Sequence, residues 1–175
     1  AMKMAEVMCN YEIAGSLVYR LQSPHYNLLG FEEMRCLKAV QGLPLEIGLH
    51  CEPLDGARAL GEDAEEFFRR DLSLFNTLLG YDIAGVASHR SKSGRNNLDF
   101  WDEREPEDFG LKYEAYDART LGLFQNGTYV SDSDIESWKT YVQGERVDGD
   151  ERSPREHMQE GITPLYILVH PFAFR

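Results

Sequence analysis

The chain has 175 residues, 42% of them hydrophobic, enough length and apolar content for one domain with a packed core. Its 18 Lys and Arg stand against 30 Asp and Glu, a formal net charge of -12 that argues against phosphate backbones and anionic bilayers as partners. No apolar run approaches the roughly 20 residues of a bilayer span and no leader-like start is present, while Cys9, Cys36 and Cys51 are too scattered for a disulfide framework or a paired-cysteine metal site, so the reading is a cytoplasmic protein.

Met4, Val7, Met8 and Tyr11 recur at helical spacing and predict an opening amphipathic helix. Residues 13–21 follow as a strand, with Ser23 to Asn27 as the loop after it, carrying His25. Phe31, Met34, Leu37 and Val40 mark a second helix, stopped by Gly42 and Pro44. Leu45 to Glu52 is a short apolar run bounded by turn residues and reads as a buried strand that ends in the histidine His50 and the carboxylate Glu52. A Gly- and Asp-containing connection from Pro53 to Gly61 leads into the clearest helix, Glu62 to Leu79, whose Phe68, Leu72, Phe75 and Leu79 form one stripe and whose first turns are acidic.

The next strand ends Ser88-His89-Arg90. Ser91 to Gly110 then reads as a long loop, in which Phe100 and Trp101 serve either to stack on a sugar or to pack on the body. Tyr116 to Phe124 suggests a short helix. Gly127 to Ser131 is a strand ending at Asp132, and Gly144 to Asp150 a solvated acidic loop. Ser153-Pro154 caps a short helix that holds His157, expected on its surface, and the last strand runs from Pro164 to Val169 and ends in His170-Pro171.

Strand and helix alternate, which predicts an α/β fold with mostly parallel strands. Carboxyl ends of parallel strands share one edge, and such folds carry their ligands there. His50, His89, Asp132 and His170 are therefore expected to converge on a single pocket.

The motif order resembles the polysaccharide deacetylase (NodB-like) superfamily, in particular its divergent cytoplasmic branch. The matching pieces are Tyr26-Asn27, Glu46 to His50, Ser88-His89-Arg90, Tyr129 to Ser133 and Leu168 to Pro171, which together cover nearly the whole chain. The resemblance implies one domain over 1–175, an incomplete (β/α) barrel, and a divalent metal, zinc first, at the carboxyl-end face. It further implies deacetylation of an N-acetylated sugar or polysaccharide precursor, with a carbohydrate as the partner. By this resemblance His50 is a metal ligand, Arg90 orients carboxylates, and His170 is the general acid, with Asp132 placed to orient it. Active relatives carry an Asp pair after a first strand that this chain lacks, and a second histidine where Leu54 stands. Glu52 and His89 are the substitute ligands suggested by position. Without the Asp pair and first strand the chain reads as N-terminally truncated, with weak metal binding, no measurable acetate release, and self-association through exposed strand edges. The alternative is a degenerate barrel that binds a carbohydrate or protein partner without turnover.

Overall fold

Helix and strand alternate from the first residues onward. In this computed structural model, which describes residues 2–90, 96–134 and 137–170, the order begins α1 (Met2–Asn10), β1 (Ser16–Tyr19), α2 (Phe31–Gln41), β2 (Glu46–Cys51). It continues with α3 (Pro53–Leu60), α4 (Ala64–Leu79) and β3 (Gly85–Ser88), two short 3-10 helices (Asn97–Glu103 and Pro106–Phe109), and β4 (Tyr113–Glu114). Strands β1 to β4 form one parallel sheet in sequence order. These elements make the first of two compact units, which runs through Glu114; the second starts at Ala115.

The core of the first unit follows from the stripe on α4. Phe67, Phe68, Leu72, Phe75 and Leu79 are buried, and each large side chain taken from water is worth about 1.5–3 kcal/mol. Asp63 caps the helix by accepting from the Glu65 and Glu66 amides, and Gly80 ends it at φ 81°. The middle strands β2 and β3 approach closely through two glycines. A Cβ on Gly48 would lie 2.9 Å from the Gly85 carbonyl oxygen, and one on Gly85 would fall 2.1 Å from the Tyr113 ring.

Two stretches of this unit differ from the sequence reading. Pro53 to Leu60, expected as a connection, is α3, with Pro53 in its first turn and Gly56 inside it because a Cβ there would strike the Phe67 ring. The expected loop from Ser91 to Gly110 contains both 3-10 helices, each opened by a capping box; residues 91–95 lie outside the described residues. Phe100 and Trp101 are 1% exposed and pack against Phe68 and Phe109, Trp101 edge-on and Phe100 tilted. Their rings are core, so no sugar stacks on them.

The second unit holds α5 (Leu123–Asn126), β5 (Thr128–Asp134), β6 (Ser137–Val142), β7 (Glu145–Arg146), α6 (Pro154–Gln159) and β8 (Leu165–Leu168). Its sheet runs β7-β6-β5-β8, antiparallel except for the parallel pair β5 and β8. Tyr116, Phe124, Tyr129, Tyr141 and Tyr166 cluster on it with neighbouring ring centroids 5.2 to 6.2 Å apart. The helix expected over Tyr116 to Phe124 is not formed as such; α5 shares only Leu123 and Phe124 with it and ends at Asn126. The loop expected over Gly144 to Asp150 begins as a hairpin strand: Gln143 and Gly144, at φ 53° and 82°, make the two-residue turn that matches strand twist. The fold is thus mixed α/β with a four-stranded parallel sheet alternating with helices, and the described strands form two sheets rather than a closed barrel.

Candidate metal centre

Strand register decides which side chains meet at the carboxyl edge of the first sheet. Tyr19 pairs with Leu49, and Cys51 pairs with Ser88. One residue beyond each strand end stand Arg20, Glu52 and His89. Arg20 grips Glu52 with both arms, Nε donating to Oε2 at 3.0 Å and Nη2 to Oε1 at 2.6 Å. His89 Nδ1 lies 3.2 Å from the same Oε1 yet is a buried nitrogen with no aligned hydrogen bond. Burial pulls the Glu52 carboxyl upward, but the contacts with His89 and Arg20 outweigh it and hold it below the ordinary range.

α3 starts directly after Glu52, so its first turn brings Asp55 back towards β2. Asn97, fully buried in the first 3-10 helix, organises this corner. Its Oδ1 accepts from the Leu54 and Asp55 amides, and its Nδ2 donates to Asp55 Oδ2 at 3.0 Å and to the His89 carbonyl at 2.8 Å. Asn97 therefore caps α3 and fixes Asp55 relative to His89. One ligand atom each from Glu52, Asp55 and His89 lies within 4.8 Å of the others, and all three residues are half-buried. An imidazole nitrogen and two carboxylates form a donor set that suits zinc and related divalent ions.

His50 stands beside this triad. Its ring centroid is 5.0 Å from that of His89, nearly perpendicular, and its Nδ1 is 2.9 Å from the Ala87 carbonyl oxygen. That contact makes Nδ1 the donor and leaves Nε2 as the acceptor, without a hydrogen-bond partner among the described residues. Burial pushes the His50 pKa down to about 4, so the ring is neutral at pH 7.

No protein-family model, curated protein or solved structure matches this chain.

The second unit joins the other expected pair. Parallel register sets Ser131 beside Leu168, so Asp132 and His170 are neighbours just beyond. Asp132, in a stretch where the β5 register shifts, accepts from the His170 amide at 2.8 Å, and its Oδ1 lies 2.6 Å from His170 Nδ1. Pro171 lies outside the described residues. Of the sequence-derived candidates, His50, Glu52 and His89 gather in the first unit and Asp132 and His170 in the second; Arg90 is exposed.

Two residues of the centre escaped sequence reasoning. Asp55 sits in a stretch read as a connection, although Pro53 followed by Asp55 is a helix-start pattern that pointed to it. Asn97 carries no sequence signal, since its role exists only once the 3-10 helix is folded. The surface position expected for His157 is corrected: it is 1% exposed, with Nε2 3.1 Å from Thr140 Oγ1, because α6 packs on the sheet by that face. His25 is exposed in its loop as expected.

Proposed function

We propose that the chain is a metal-dependent hydrolase of the deacetylase-like class, an incomplete (β/α) barrel acting on an N-acetylated sugar or polysaccharide precursor, with Glu52, Asp55 and His89 as its metal ligands. The observation that carries the reading is the buried Nδ1 of His89, which faces the Glu52 carboxylate oxygen Oε1 at 3.2 Å without an aligned hydrogen bond. Two donors each about 2.1 Å from one ion stand roughly 3.0–3.4 Å apart, the separation found here. Asp55 supplies a second carboxylate beside the triad's imidazole, which bears directly on the weak binding expected from the missing Asp pair.

A divalent ion in this site would supply Lewis acidity and a water of lowered pKa. The chain's own contribution is His50, neutral at pH 7, whose Nε2 accepts a proton while the Ala87 carbonyl holds the ring. The same reading includes self-association through the edge strands. A second reading, a barrel that binds sugar without turnover, is favoured by one observation: Arg20 already neutralises Glu52.

Calorimetric titration with Zn2+ is expected to show one site, lost in His89→Ala and in Glu52→Gln. Chelator-sensitive release of acetate from N-acetylglucosamine oligomers is the result that would establish turnover, against the absence of acetate release that the sequence leads one to expect. Zn2+ binding without acetate release selects the second reading, and no Zn2+ binding removes the metal centre altogether.

A further inference from the structure

The Glu52 carboxylate has a resident cation. Arg20 Nη2 donates to Oε1, the same oxygen that faces His89 Nδ1, while Nε takes up Oε2. The pair is shielded, the two side chains being 23% and 11% exposed. The fold delivers Arg20 there: it follows β1 by one residue, and its amide donates to the Tyr26 hydroxyl at 2.8 Å. A guanidinium stays charged at every pH the protein meets, so only displacement frees Oε1.

We infer that Arg20 is an intramolecular competitor for the metal, holding Glu52 when the ion is absent and yielding Oε1 when it arrives. The inference rests on the metal reading above and adds the regulation of that site. With Arg20 on Glu52 and Asn97 on Asp55, both carboxylates stay at the site without an ion, and the affinity is set lower than the three donors alone would give. A monovalent ion gains little by replacing a charge equal to its own, whereas a divalent ion gains one further charge, so the device also selects for divalent cations.

Zn2+ titrations of the unaltered chain, Arg20→Gln, Arg20→Lys and His89→Ala test it. Arg20→Gln is expected to bind Zn2+ about tenfold tighter or more, because a neighbouring like charge has been removed. Arg20→Lys, which keeps the charge and loses the fork, is expected to stay close to the unaltered chain. Equal or weaker binding by Arg20→Gln overturns the competition and makes Arg20 a positioning residue for Glu52. If His89→Ala abolishes binding while Arg20→Gln leaves it unchanged, the metal centre stands and the competition falls. If no form binds Zn2+, both fall together. A measurement independent of variant folding is the Arg20 Nε–H resonance of the unaltered chain, expected to move on Zn2+ saturation; an unmoved signal with Zn2+ bound overturns the proposal.

Discussion

A single histidine illustrates how much turns on burial. From sequence, His157 is a polar residue on a short helix, but its ring is shut inside the second unit with Nε2 against Thr140 and Nδ1 without a hydrogen bond among the described residues. His157→Ala removes a packed ring and strands the Thr140 hydroxyl, and is expected to cost about 2–4 kcal/mol by urea denaturation. His25→Ala, exposed in its loop, is expected to change stability by less than about 0.5 kcal/mol. The polarity of a histidine does not reveal which face of a six-residue helix will be covered. Only the neighbouring β6, itself unrecognised in the sequence, decides that.

At the scale of elements, the metal centre depends on a junction between two helices that share no sequence neighbourhood. Asn97 caps α3 with one side-chain atom and ties Asp55 and the His89 carbonyl with another. Asn97→Ala is expected to destabilise the fold by about 2–3 kcal/mol in urea denaturation, since two amides, a carboxylate oxygen and the His89 carbonyl lose the Asn97 side chain. It is also expected to weaken Zn2+ binding in the calorimeter while leaving Glu52 and His89 in place. Strongly periodic elements were readable: the α4 stripe and its end at Leu79, the β2 run and the Ser153 cap lie where the residues predict, whereas α4 begins at Ala64 behind the Asp63 cap rather than at the expected Glu62. Short elements were not. α3 is hidden by Gly56, whose presence is explained only by the Phe67 ring beside it, and β6 by lacking a clean alternation of apolar and polar residues.

For the whole molecule, acidity is the dominant bulk property, and it enters stability through particular carboxylates. Arg152 holds Asp150 down to about 2, against a small opposing effect of burial, and Arg119 likewise lowers Asp117. A carboxyl whose folded pKa lies below its unfolded value stabilises the protein above that unfolded value, near 3.9, and loses this contribution as pH falls through the folded one. Asp71 has the opposite sign, because burial raises it and makes its ionised form costly. The urea midpoint is therefore expected to fall between about pH 4 and pH 2, and Asp150→Asn to flatten that limb. The division into two units is not visible in composition, since no Pro- or Gly-rich linker surrounds the boundary between Glu114 and Ala115. Of the four strand ends singled out in the sequence, His50 and His89 are placed by the register of one sheet and Asp132 and His170 by that of the other.

The sealed indole of Trp101 has an optical use. Its Nε1 donates to the Ser88 hydroxyl at 3.0 Å, at the last residue of the strand that leads into His89. With only one other tryptophan in the chain, Trp138, ultraviolet-excited emission is expected to contain a component from this buried ring, one hydrogen bond away from the strand that leads into His89. The protein carries its own lamp for watching that edge of the sheet loosen or tighten, with no dye attached.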